Sequence, residues 1–254
     1  MAGDHWPERL WLVRHGQSQG NVAREAADRD GASAIDLILR DVDVPLSPLG
    51  ERQAEATGRW FAALPDDERP EVLISSPYVR AQATAAAIRA AGGMAGHARA
   101  TLLDERLRER EFGVFDGLTR RGIAQQYPAE AAHRAKLGKF YHRAPGGESW
   151  ADVILRLRSA LNTINLQFAD RRVLIVCHQV VVMCFRYVLE ERTEAEILAI
   201  DRNEMFNCGI SAFDFLSTDR HPRRPGLVLW NHIAPVDADG TAKTSAPDGI
   251  AGSR

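Results

Sequence analysis

Three apolar runs in this chain each stop at a polar residue capable of chemistry. Leu10-Trp11-Leu12-Val13 ends in Arg14-His15-Gly16, and Val72-Leu73-Ile74 ends in Ser75-Ser76-Pro77, with Arg80 one helical turn further on. Val173-Leu174-Ile175-Val176-Cys177 ends in His178-Gln179. Short uninterrupted runs rich in β-branched residues read as central parallel strands, and open α/β sheets bind ligands beyond the carboxyl ends of such strands. Two histidines and two arginines therefore converge on one edge. A guanidinium pair suits the non-bridging oxygens of a phosphoryl group, and a neutral imidazole can attack phosphorus and carry it covalently. A single histidine at a strand end is more often a structural residue; the weight here comes from a second strand ending the same way. No H-E-x-x-H, no D-x-D-x-D-G loop and no Walker-type glycine loop occurs, so neither a metal nor a cofactor is expected.

The elements that must position these residues alternate strand with helix. Ser47-Pro48 is a helix cap with Pro at the first position, after which Ala54, Thr57, Gly58, Phe61 and Leu64 fall on one face. Ser149, with Asp152 three residues on, opens a helix repeating Val153, Leu157, Leu161, Ile164 and Phe168. The predicted class is α/β, three layers with a mostly parallel central sheet. Residues 211–215 and 227–230 read as two late strands of a hairpin, joined by the basic segment 217–226. Residues 22–44 exceed a usual connection and are placed as a segment folding over the site. The catalytic domain is expected over 1–235, with 236–254 a disordered tail because it offers almost nothing apolar.

Composition narrows the function classes. The chain has 254 residues, 45% hydrophobic and 26% charged, with a net charge of −2, so no bulk field holds a nucleic acid or an acidic membrane. Anion affinity must come from a local cluster. Cys177, Cys184 and Cys208 lack the C-x-x-C spacing of a zinc or redox pair and read as buried thiols of a reducing compartment. Residues 1–9 lack a signal-peptide core, and the longest apolar stretch, 173–189, is broken by His178, Gln179 and Arg186. The expectation is a soluble, cytoplasmic protein acting on a small phosphorylated molecule, with a phosphoprotein left open and the oligomeric state unread.

Leu12-Val13-Arg14-His15-Gly16-Gln17-Ser18, with Asn21 following, resembles the signature of the histidine phosphatase superfamily, the phosphoglycerate mutase-like fold. The resemblance continues in family order through Pro45-Leu46-Ser47-Pro48-Leu49-Gly50, Ser75-Ser76-Pro77-Tyr78-Val79-Arg80-Ala81, Arg106-Leu107-Arg108-Glu109-Arg110-Glu111-Phe112-Gly113, Gly146-Gly147-Glu148-Ser149 and Val176-Cys177-His178. It implies His15 as the nucleophile forming a phosphohistidine. It places Arg14, Arg80 and His178 around the phosphate, Asn21 and Gly16 near its rim, and Glu109 as proton donor. A carboxylic acid there protonates a poor alkoxide leaving group and later deprotonates the hydrolytic water. Glu111 and Glu105 are rivals at neighbouring positions, with the spacing favouring Glu109. Asp116 reads as a turn cap. Ser18 reads equally as a phosphate donor or a helix cap.

Within the superfamily, mutases move phosphate between two positions and phosphatases release it to water. Gln179 after His178, where mutases usually have Gly, and the short link from Gly117 to Gly146 favour hydrolysis. So does Lys139-Phe140-Tyr141-His142-Arg143, which is similar to the fructose-2,6-bisphosphatase domain and related small phosphatases. Gln179, Arg134, Lys139, Tyr141 and Arg143 are then expected to contact substrate, holding a second phosphate or a carboxylate. Mutase-type transfer and a phosphate-binding scaffold without turnover are the alternatives, though a scaffold has no use for a proton donor.

Overall fold

Alternation along three strands decides the architecture. In the computed structural model, which describes residues 6–98, 100–218 and 221–246, β1 (Arg9–Arg14) leads into α1 (Gln19–Arg29). A strap with a 3₁₀ turn at Asp41–Asp43 follows, then α2 (Pro48–Ala62), β2 (Val72–Ser75) and α3 (Val79–Ala90). Past the short β3 (Leu102–Leu103) come 3₁₀ turns at Glu105–Leu107 and Gly113–Phe115, then α4 (Arg120–Gln126), α5 (Pro128–Tyr141) and α6 (Trp150–Gln167). The described chain is completed by β4 (Arg172–Cys177), α7 (Gln179–Leu189), α8 (Glu194–Ile200), β5 (Ile210–Thr218), β6 (His221–His232) and α9 (Ala234–Ala238).

The strands form one sheet in the order β3-β2-β4-β1-β5-β6. The first four run parallel, whereas β5 and β6 are antiparallel to their neighbours. Successive side chains of a strand face opposite sides. Leu10, Leu12, Val173 and Ile175 accordingly pack against Val153, Leu157 and Leu161 of α6 and the apolar face of α7. Trp11, Val13, Leu174 and Val176 pack on the other side against Phe61 of α2 and Ala81, Ala85 and Ile88 of α3. Both faces are covered, which is why these strands read as continuous apolar runs.

Two expectations need correction. The hairpin strands reach Thr218 and His221, so most of 217–226 is strand, and residues 219–220 lie outside the described residues. Residues 236–246 are placed by contacts. Val236 of α9 is fully buried with Leu46, Ala54 and Cys208, and the carbonyls of Ala242 and Thr244 accept from Gln53 Nε2 (2.8 Å) and Asn207 N (2.8 Å). One apolar anchor followed by backbone acceptors for buried donors holds the segment, and composition registers neither. The remainder of the expected tail, 247–254, lies outside the described residues. Among the described residues, no helix is long and apolar enough to cross a membrane.

Candidate active site

Strand register brings the polar ends to one level. Arg14 is opposite Cys177 and Ser75 opposite Val176. The next residues continue the ladder, His15 N donating to Cys177 O and Ser76 N to Val176 O, both at 3.0 Å. The loop after His15 lies hard against the start of α2. A Cβ on Gly16 would sit 2.4 Å from Gly50 O, and one on Gly50 would sit 2.0 Å from Gln17 O, so both must be glycine.

His15 is fully buried. Its Nδ1 lies 2.7 Å from Gly16 O. A carbonyl can only accept, so Nδ1 carries the proton and Nε2 holds the lone pair. That nitrogen accepts from Arg80 Nε at 3.1 Å. The His178 ring stands 5.1 Å from the His15 ring, and its Nε2 lies 2.8 Å from Ser76 Oγ. Tyr78 packs edge-on against His178 at 4.9 Å, with the Arg80 guanidinium 4.9 Å over its own ring. Burial first, then the charges of Asp41 and Glu111, push the Tyr78 hydroxyl well above its ordinary range, so it stays a donor, reaching Glu111 Oε1 at 3.2 Å.

Three groups already engage donors suited to phosphate. Asp41, from the strap over the site, pairs with Arg80 at 2.9 Å. Arg14 donates to Met205 O and, with Asn21 Nδ2 (3.1 Å), to Ala246 O. Asn207, fully buried and unmarked by any sequence pattern, donates to His15 O (3.1 Å) and Asn21 Oδ1 (3.3 Å). Ser18 caps α1. Its Oγ accepts from Asn21 N (3.0 Å), and Asn21 Oδ1 accepts from Ser18 N (2.9 Å). Asp116 Oδ1 accepts from Gly117 N (3.0 Å) in a turn where Gly117 has φ +71°.

Glu109 is fully buried, whereas Glu105 and Glu111 are exposed. Its Oε1 accepts from Arg110 N at 2.7 Å. The loop carrying it is tied to α6 through Arg156, which donates to Arg106 O and Glu109 O (3.2 Å). Glu148 holds that arginine with both oxygens (2.9 and 3.0 Å) and also accepts from Glu111 N (3.1 Å). Burial raises the proton affinity of Glu148. Hydrogen bonds from Arg156 and Glu111 N and the charges of Arg156 and Arg108 together outweigh it and hold the carboxyl below its ordinary 4.5. A depressed carboxyl stabilises the fold above its unfolded value and loses that contribution as pH falls through its folded one. Glu148→Gln is expected to cost about 1–3 kcal/mol at neutral pH. Denaturant melts should show the gap to wild type narrowing below pH 4.5. A pH-independent gap would refute the charge assignment.

Arg134, Lys139, Tyr141 and Arg143, expected to contact substrate, lie on or just after α5. Arg143 is exposed and paired with Asp152 at the start of α6, and Tyr141 is exposed. Lys139 pairs with Asp201, whose carboxyl also takes a hydrogen bond from Gln179. Lys139, Arg110 and Arg134 line a cavity of only about 10 Å³, room for about one water. Burial, then the neighbouring Arg110 charge, pushes Arg134 down to about 10. Glu130, His133 and His142 bring ligand-type atoms within 4.8 Å of one another. The charge of Arg134 acts on His142 there and opposes a cation.

A family model described as "Histidine phosphatase superfamily (branch 1)" matches residues 10–232. A Caenorhabditis elegans 6-phosphofructo-2-kinase/fructose-2,6-bisphosphatase is 32% identical over 77% of this chain, which spans 37% of that protein's length. The mycobacterial glucosyl-3-phosphoglycerate phosphatase complexed with inorganic phosphate superposes with a TM-score of 0.66 at 26% identity, covering 90% of this chain and 99% of that one. Bacillus stearothermophilus YhfR, at 21% identity and TM-score 0.68, shares the fold over 90% of this chain.

Proposed function

The chain belongs to the histidine phosphatase superfamily, and from that premise we propose that it hydrolyses phosphomonoesters through a phosphohistidine on His15, with Glu109 as proton donor. The observation that carries this reading is the tautomer of His15, whose Nδ1 proton is committed to Gly16 O and whose Nε2 lone pair faces Arg80. Nε2 forms a bond to phosphorus as the bond to the ester oxygen breaks. The departing oxygen takes the Glu109 proton. Water then attacks phosphorus, giving its proton back to Glu109 and freeing His15 as phosphate leaves. Arg14, Arg80, Asn21 and His178 surround the phosphoryl oxygens and stabilise the charge that develops there.

The buried carboxyl of Glu109 favours an enzyme over a phosphate-holding scaffold, since such a position is costly without a role. The cavity of Lys139, Arg110 and Arg134 has room for about one water, so these three cations do not form a second phosphate site of the kind the bisphosphate named for the kinase/bisphosphatase relatives would need, and the reading favours monophosphates. The test is phosphate release, with EDTA present, from 3-phosphoglycerate, fructose-2,6-bisphosphate and phenyl phosphate. Release from the monophosphates at higher kcat/KM than from the bisphosphate supports the reading. Isomerised phosphoglycerate without release would mean a mutase, and silence on every substrate would leave a scaffold.

A further inference from the structure

We propose that the pocket beside the phosphate donors is a leaving-group site for an apolar, flat alcohol that ends in a carboxylate, and that Arg24 reads the carboxylate. The inference rests on the phosphatase reading and names the substrate class for the same site.

The pocket has a volume of about 210 Å³ and opens from Arg80, Asn21 and Ser18. Its walls come from three parts of the fold. The strap brings Ile35, Leu37 and Leu39, the segment after Glu109 brings Phe112 and Phe115, and α1 brings Arg24. The strap is fixed in place, with Ile35 N donating to Gly117 O at 2.8 Å and Ala34 bridging to Leu118. Two phenylalanines and four branched aliphatic side chains, Val44 included, give an aryl or alkyl group apolar contact beside the polar groups of Ser18, Asn21, Arg24 and Arg80 that meet its anionic ends.

Arg24 is 3% exposed. Nη1 donates to Leu118 O at 3.0 Å, Nε has no acceptor, and no carboxylate lies within ion-pair distance of the guanidinium among the described residues. Asp116 lines the same pocket, but its Oδ1 is taken by Gly117 N, and Asp41 is committed to Arg80. The charges of Asp28 and Asp116 reach the guanidinium without pairing with it directly; a buried guanidinium lacking a direct ion pair is unfavourable, and here it borders an open cavity. An anionic acceptor entering that cavity would restore the missing pair. Asn21 and Arg24 sit three residues apart on α1, so one helix face meets the phosphate at one end of a substrate and the carboxylate at the other.

The test compares 3-carboxyphenyl phosphate with its neutral isostere 3-carbamoylphenyl phosphate. Wild type should favour the carboxylate in kcat/KM by about tenfold or more, as a charge-assisted bidentate contact provides. Arg24→Gln should bring the ratio to within about twofold of unity, and Arg24→Lys should keep part of the preference, because charge survives while the fork geometry does not. Equal use of both esters by wild type, or an undiminished preference in Arg24→Gln, overturns the proposal. Should Arg24→Gln not melt cooperatively, inhibition of wild type decides: benzoate must compete with phenyl phosphate at least about tenfold better than benzamide, and equal inhibition overturns the proposal. If neither ester is hydrolysed, the phosphatase reading fails. The pocket is then judged by benzoate and benzamide titrations, where benzoate must still bind more tightly.

Discussion

A His15→Ala variant is expected to release no measurable phosphate from any ester that wild type hydrolyses, a loss of about 10³-fold or more, because covalent catalysis has no partial substitute at that position. The fold should survive. His15 sits just past the carboxyl end of β1, its backbone N–H still donates to Cys177 O, and Arg80 keeps its pair with Asp41. Removing the imidazole ring leaves a cavity, so a cost of about 1–3 kcal/mol is expected in thermal melts. Rapid-quench trapping supplies the complementary measurement: acid-labile, base-stable label from a ³²P-ester should appear on wild type and be absent from the variant. Hydrolysis by His15→Ala at the wild-type rate would remove His15 as nucleophile, and label persisting on the variant would move the phosphoenzyme to another residue.

The strands and the residues at their ends were legible because burial on both faces leaves no polar position until the strand stops. Arg14 ends β1, and His15 and His178 follow β1 and β4 directly, so period and position agreed. Glu109 was separable from Glu105 and Glu111 by motif spacing, and its burial distinguishes it physically. What stayed hidden shares one cause. Arg24, Asp41 and Asn207 act through distant partners, and on an Ala-, Asp- and Arg-rich stretch a buried arginine looks like a solvated one. The segment 236–246 is held by Val236 and by carbonyls, and backbone acceptors leave no trace in side-chain composition. Arg143 shows what composition near a motif leaves unread: its place suggests substrate contact, and in the structure its carboxylate partner is Asp152 of the helix cap.

Glu109→Gln separates the acid from the nucleophile. Gln keeps the shape and an oxygen for Arg110 N, so the loop tied down by Arg156 and Glu148 should hold its course. What the variant lacks is the transferable proton. Protonation matters in proportion to the basicity of the departing oxygen, so alkyl phosphates should slow by about 10²–10⁴-fold, whereas aryl phosphates with electron-withdrawing groups should slow far less. Plotting log kcat/KM against leaving-group pKa should therefore give a steeper negative slope for Glu109→Gln than for wild type. Equal losses across the series would exclude Glu109 as the acid. Hydrolysis of the phosphohistidine would also lose its base, so with activated esters the variant should accumulate labelled enzyme, as a burst followed by slow turnover. A burst with shallow wild-type slope would place Glu109 in the second half-reaction alone. Steep slope and burst together require one carboxyl to act in both half-reactions, and Glu109 is the buried carboxyl of its loop.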